Sequence, residues 1–249
     1  MTALLMTATV APAAAMPEKA LRDPDLRVRH YAEALGYYLS VPGPAFRILL
    51  AENSGARLDA LEAVAAAAPP GRPVHIHSYR SEVPPEQGKG RAELELIDRA
   101  MDAFAPLLGA GEPVWKVTGR LRVRNLAEML RTAPARFSVY ADLRRVPLIG
   151  DALGGNRWMD CRLFAFTPQG HAAHLAGTWR ESWISVEKYL YARLVARMAD
   201  DPLIVPRLRR QPRLSGVSAR GTANYDSLAY AAKDALRATT RRLALALWI

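Results

Sequence analysis

What most limits the fold of this chain is the repeated alternation of short apolar runs with segments whose apolar residues recur at helical spacing. Residues 4–10, LLMTATV, are rich in Leu, Thr and Val and end at a proline, which reads as a buried strand. Between Asp25 and Leu39, the residues Leu26, Tyr31, Leu35, Tyr38 and Leu39 fall on one helical face, and Asp23 and Asp25 stand where an N-cap belongs. FRILLA (46–51) predicts a strand, 57–68 an Ala-rich helix stopped by Pro69-Pro70-Gly71, and VHIHSY (74–79) an alternating strand. A helix over 91–105 follows, with Leu94, Ile97, Met101 and Phe104 along one face. Next come a strand at PVWKVTG (113–119), a short helix from Asn125, strands at FSVYADL (137–143) and WMDCRLFAF (158–166), and a helix over 183–199. This order predicts an α/β fold on a mostly parallel, doubly wound, Rossmann-like sheet. Residues 1–199 would form that domain. Residues 200–249 would add a Pro- and Arg-rich connector and a basic amphipathic C-terminal helix from Asp226.

Composition narrows the class. Half of the 249 residues are hydrophobic, enough for a sizeable core. The one cysteine, Cys161, excludes a disulfide framework within the chain and a cysteine-based metal site, and fits a reducing compartment. The formal charge of +10 points to a polyanion: nucleic acid, anionic lipid or a phosphorylated substrate. No apolar run reaches the roughly 18 residues of a membrane span. Residues 1–15 lack the basic n-region of a signal peptide, since the first basic residue is Lys19.

In doubly wound sheets the ligand sits beyond the carboxyl ends of the strands. The polar residues there are the candidates: Thr7 and Thr9, Glu52, Asn53 and Ser54, His77 to Arg80, Lys116, Thr118 and Arg120, and Asp142 to Arg145. Gly88-Lys89-Gly90 opens a helix, and is either a phosphate-holding helix start or an ordinary loop with a solvated lysine. Lys116-Val117-Thr118-Gly119-Arg120 sets a lysine in an apolar strand, which is costly unless the lysine is paired. Two cations and a hydroxyl at a strand end suit a diphosphate, and a salt-bridged strand end is the plainer alternative. Asp160 and Arg162 alternate on one strand and so share a side, as an ion pair or as holders of a sugar hydroxyl. Glu187 is an N-terminal helix charge or a general base. His171 and His174 lack a carboxylate ligand for a metal, and Ser218 is one residue short of a nucleophile elbow. Lys233, Arg237 and Arg241 form a basic stripe on the last helix, with Trp248 near the chain's end, which suits a membrane surface or packing on the domain.

The segments LLMTATVAP, DPDLRVRHYAEAL, AENSG, GKGRAELELID, WKVTGRLRVRN, ADLRR, SVEKYLYARL and RLSGVSARGTANY, in that order over nearly the whole chain, resemble a GT-A-like family of glycosyltransferase-like proteins from bacterial surface-polysaccharide gene clusters. The resemblance implies a GT-A-like nucleotide-sugar fold. It implies Thr7 and Thr9 at the nucleotide, with Glu52, Asn53 and Ser54 behind them, and Lys89, Glu93, Lys116, Thr118 and Arg120 around the diphosphate and donor sugar. Asp160 and Arg162 join this donor set. GT-A proteins of the usual pattern carry an Asp-x-Asp metal motif after a mid-chain strand. Here Lys116 to Arg120 occupy that place, and the literal Asp23-Pro24-Asp25 lies too early, so no metal ligand is assigned.

The expected activity is sugar transfer from a nucleotide-sugar donor to a glycan or lipid-linked acceptor. Lys116, Arg120 and Lys89 would neutralise the leaving phosphate. Glu187, or failing it Asp142, would deprotonate the acceptor in an inverting reaction. The expected location is cytoplasmic and peripheral on the inner face of the membrane through 226–249. The alternatives are a non-enzymatic polyanion-binding protein and a catalytically degenerate nucleotide-binding scaffold. No basic run interleaved with aromatics supports specific nucleic-acid recognition.

Overall fold

A computed structural model describes residues 1–13, 22–146, 156–217 and 224–243. Its strands are β1 (Thr2–Ala8), β2 (Phe46–Glu52), β3 (Val74–Ser78), β4 (Val114–Thr118), β5 (Arg122–Val123), β6 (Val139–Tyr140), β7 (Leu143–Arg144), β8 (Trp158–Met159), β9 (Leu163–Phe166), β10 (Ile204–Val205) and β11 (Leu214–Ser215). Its helices are α1 (Pro24–Ser40), α2 (Asp59–Ala66), α3 (Lys89–Phe104), α4 (Leu126–Thr132), α5 (Pro168–His174), α6 (Val186–Arg197) and α7 (Leu228–Leu243). Local chemistry sets the helix starts. The Asp23 carboxylate accepts from the Asp25 N–H at 2.9 Å ahead of Pro24. Thr167 caps α5 and Ser185 caps α6 with their hydroxyls.

The main sheet has seven strands in the order β10-β6-β9-β4-β1-β2-β3. Every pairing in it is parallel except those of β9, which runs antiparallel to both β4 and β6. The expected doubly wound α/β architecture is present. Alternation along β1 divides the core between two faces. Leu4 and Met6 pack with Tyr31, Leu35 and Tyr38 of α1 and Leu61 of α2. Ala3 and Leu5 pack with Leu94, Ile97 and Met101 of α3 and Leu190 and Leu194 of α6.

Two expected strands are broken. The run 137–143 pairs in the main sheet only at Val139–Tyr140, and Leu143–Arg144 leaves to pair with Trp158–Met159. The run 158–166 is interrupted at Asp160, whose carboxylate accepts the Arg162 N–H at 3.2 Å. That local side-chain bond closes a turn in place of the ladder. The connector read over 200–213 supplies β10, the edge strand beside β6.

The C-terminal helix turns its polar side inward. The Tyr230 hydroxyl accepts from Arg162 at 2.7 Å, Asp234 accepts from Gln211 at 3.1 Å, and Arg241 is buried against Asp142. Leu228, Leu236 and Leu243 point outward, 90%, 69% and 81% exposed. Of the basic stripe, Lys233 is exposed, Arg237 half-buried and Arg241 buried. Residues Ser218 and Trp248 lie outside the described residues. Among the described residues no helix is long and apolar enough to cross a membrane.

Candidate functional site

Strands β2 and β3 lie to one side of β1, and β4 lies to the other. Helices α1 and α2 cover one face, and α3 the opposite one. The crevice beyond the carboxyl ends of β1 and β4 is therefore the topological switch point of the sheet, where such folds bind ligands. Gly119 brings the two strand ends together. Its N–H donates to the Thr7 carbonyl at 2.9 Å, and a Cβ there would lie 2.7 Å from that same oxygen. The chain then turns and presents Arg120.

On the α3 side of this crevice sits an ion pair. Lys116, fully shielded from solvent, places its Nζ 2.6 Å from Glu93 Oε1. The same ammonium donates to the Cys161 carbonyl at 2.6 Å and lies 3.4 Å from the Thr118 hydroxyl. The Thr7 hydroxyl donates to Glu93 Oε1 at 3.0 Å. Burial works to raise the Glu93 carboxyl, but Lys116 and the hydrogen bonds from Lys116 and Thr7, with Lys89 helping, outweigh it and hold it below its ordinary value. Burial pushes the Cys161 thiol well up, and the nearby Glu187 carboxylate adds to the shift. Glu187 arrives here because α6 starts against α3: a Cβ at Gly90 would lie 2.8 Å from Val186 Cγ1. The Glu187 carboxylate accepts from the Ser185 hydroxyl at 2.9 Å.

On the α1 side lie two buried guanidinium groups. Arg27, 6% exposed, donates through Nε to the Thr9 carbonyl at 2.6 Å and through Nη2 to the Tyr31 hydroxyl at 3.1 Å. That hydroxyl in turn accepts the Thr9 N–H at 3.0 Å. Arg120 is 8% exposed and makes no hydrogen bond or ion pair among the described residues; its Nε is shut away from solvent without a partner. Burial pushes the Arg120 pKa down and Arg27 reinforces the shift, against the opposing pull of Tyr31 and Glu93. Two like charges are thus held out of water within electrostatic reach of each other. The Glu93 carboxylate, which pulls on Arg120, is already bound to Lys116. A buried guanidinium such as Arg120, with no hydrogen bond or ion pair among the described residues, fits an anion.

The remaining candidates hold the frame. Glu52, fully buried, accepts from the N–H groups of Val10 (2.8 Å), Ser54 (2.9 Å) and Gly55 (3.1 Å) and from the hydroxyls of Ser54 and Ser78. Asn53 accepts from the Thr9 hydroxyl at 2.6 Å and donates to the Ala92 carbonyl at 3.2 Å, tying β1 and β2 to α3. Asp160 and Arg162 do pair, at 2.6 and 2.8 Å, but from the β8–β9 turn rather than from one strand. Arg144 joins them at 2.8 Å. Burial opposes ionisation of Asp160, yet Arg162 and Arg144 hold its carboxyl well below the usual range. Asp142, 3% exposed, is gripped on both oxygens by Arg241 and also accepts the Leu208 N–H at 2.9 Å. His171 bonds Asp98 and His174 bonds Asp201, so the two imidazoles serve separate carboxylates.

Sequence reasoning missed Arg27 and the polar role of Tyr31. Tyr31 reads as core by its spacing, and the only hint of its partner is an arginine one helical turn earlier. Among the described residues Lys116, Arg120 and Arg27 stand around this crevice, Thr7 and Thr118 bring hydroxyls to it, and the Glu93 carboxylate is committed to Lys116. Among the described residues no group of three His, Cys, Asp or Glu comes together.

No protein-family model matches the chain, and no curated protein matches it in sequence. Solved structures similar to it include the galactosyltransferase LgtC in complex with donor and acceptor sugar analogs, at 12% identity over 84% of this chain and 74% of that one, with a TM-score of 0.48. The inositol-1-phosphate CTP transferase from T. maritima shares 14% identity over 82% of this chain and 84% of its own, with a TM-score of 0.45. Mouse xyloside xylosyltransferase 1 shares 10% over 84% and 86%, with a TM-score of 0.44. Likeness at this level says nothing of substrate; what the chain can do is set by its own residues.

The Lys116–Glu93 pair makes a prediction. Glu93→Gln leaves a buried ammonium uncompensated and lowers stability by about 3 kcal/mol in chemical denaturation. Adding Lys116→Met recovers most of that loss. Because the Glu93 pKa is depressed in the folded state, its contribution is complete above the ordinary carboxyl range and disappears as pH falls through the lowered value. The double variant therefore shows a shallower acid limb than the wild type.

Proposed function

We propose that the chain is a GT-A-type glycosyltransferase that moves a sugar from a nucleotide-sugar donor to a hydroxyl of a glycan or lipid-linked acceptor. The observation that carries this reading is Arg120, a buried guanidinium with no partner among the described residues, at the switch point of a doubly wound sheet. In the proposed reaction the bond between the anomeric carbon and the leaving phosphate oxygen breaks, and the electron pair stays with the nucleoside diphosphate. Arg120 and Arg27 stabilise the charge that grows there, with Lys89 at the start of α3 behind them. Cations of the chain take the part that a divalent metal takes elsewhere. The Lys116–Glu93 pair is neutral as a unit; it shapes the floor of the site and fixes the Thr7 hydroxyl.

An acceptor hydroxyl attacking the anomeric carbon must lose its proton. Glu187 suits this general-base role better than Asp142, since its partner is one serine hydroxyl while Asp142 is locked to Arg241. The outward leucines of α7, in a chain of charge +10, support a peripheral place on an anionic membrane surface.

A thermal-shift panel of nucleoside diphosphates and nucleotide sugars, run in chelator, tests the donor site. One nucleotide class raises the melting temperature, a ligand at 100 times its Kd contributing about 2.7 kcal/mol. Arg120→Met folds at least as stably as the wild type and loses the shift; no shift with any nucleotide contradicts the reading. Glu187→Gln keeps the shift and loses about 10²–10⁴-fold in turnover. Co-sedimentation with phosphatidylserine vesicles tests the membrane contact: Leu236→Glu reduces it without unfolding the chain, and equal recovery of both proteins removes that role.

A further inference from the structure

A second cationic site lies beside the first. A cavity of about 300 Å³ opens between α7, α4 and the segment 209–214. That volume is at the lower end of small-molecule sites, roughly 300–1,000 Å³, and suits one sugar unit. Five arginines line it: Arg124, Arg209, Arg210, Arg213 and Arg241. Three of them are neutralised. Arg124 pairs with Asp226, Arg210 with Glu128 at 3.0 Å, and Arg241 with Asp142. Arg209 donates to the neutral Thr132 carbonyl at 3.2 Å, and the Arg213 side chain has no hydrogen bond or ion pair among the described residues. The other wall carboxylate, Asp234, accepts from the Gln211 amide at 3.1 Å and is countered by Arg237. Among the described residues two guanidinium charges are thus left without a carboxylate, which matches a phosphate dianion better than a single carboxylate.

The cavity adjoins the switch-point crevice. Tyr225 lines it, lies 5.1 Å by its ring from the Arg162 guanidinium, and is within electrostatic reach of Arg120. The backbone is close as well: a Cβ at Gly216, just past β11, would lie 3.2 Å from the Arg120 carbonyl. We infer that this arginine-lined cavity is an acceptor subsite that holds a phosphorylated sugar by its phosphate, next to the donor site. The acceptor assignment rests on the sugar-transfer reading; the phosphate site itself does not.

The test is calorimetric titration of the full chain with glucose 1-phosphate, glucose and inorganic phosphate. Glucose 1-phosphate binds about tenfold or more tightly than glucose, as an added charge-assisted contact requires. It also binds more tightly than inorganic phosphate, because the cavity has room for the sugar. Arg209→Gln with Arg213→Gln weakens glucose 1-phosphate binding by about tenfold or more and leaves nucleotide binding at Arg120 unchanged. Arg120→Met does the opposite. Binding of glucose 1-phosphate that the double variant does not weaken overturns the site. Equal affinity for inorganic phosphate and glucose 1-phosphate overturns the acceptor assignment. Failure of every nucleotide to bind while the sugar phosphate still does overturns the donor reading and leaves the phosphate site standing.

Discussion

A lysine ammonium with no exposure to solvent has to be neutralised where it sits. Lys116 obtains this from Glu93, at 2.6 Å, and donates a further hydrogen bond to the Cys161 carbonyl at the same distance. Each contact comes from a different part of the chain: Lys116 from β4, Glu93 from α3, Cys161 from the β8–β9 turn, and Thr7, which donates to Glu93, from β1. Losing any one would leave a charge or polar group buried without compensation, a penalty of about 1–3 kcal/mol for a neutral group and more for a charged one. The pair therefore sets the register of the carboxyl ends of β1 and β4, and so the shape of the crevice between them.

The same rule explains how a chain of charge +10 keeps a compact interior. Its buried arginines are mostly answered in place. Asp160 takes Arg144 and Arg162, and Asp142 takes Arg241, which anchors α7 to the sheet's far end. Among the described residues Arg120 is the exception, and burial without a partner costs stability. In the proposed function a bound diphosphate offsets that cost. Arg213, beyond Tyr225, is a milder case, because it is exposed and water solvates it.

Much of the N-terminal two-thirds was legible from local pattern. The strands at Thr2–Ala8, Phe46–Glu52, Val74–Ser78 and Val114–Thr118 follow apolar runs, and α1 begins at its Asp23 cap. What escaped was set at long range. The Asp142 partner is Arg241, 99 residues away, so nothing local tells a committed carboxylate from an available one. The break at Asp160 depends on a side chain bonding its own turn, and β10 exists because β6 offers it an edge. In the site, the value of lysine at 116 was legible as a burial problem, but its solution at Glu93 was a matter of tertiary contact. Arg27 carried no signal beyond its spacing from Tyr31. The inward turn of Arg241 on α7 was invisible for the same reason, since its partners Asp142 and Gln211 come from other elements.

In the proposed function the switch-point crevice holds a diphosphate with guanidinium groups rather than with a metal. Inorganic pyrophosphate isolates that claim from the identity of base and sugar. Titrated calorimetrically in excess chelator, it binds the wild-type chain saturably, and Arg120→Met weakens it by about tenfold or more, as the loss of a charge-assisted contact requires. Binding that needs an added divalent cation, or that is equal in the variant, contradicts the account.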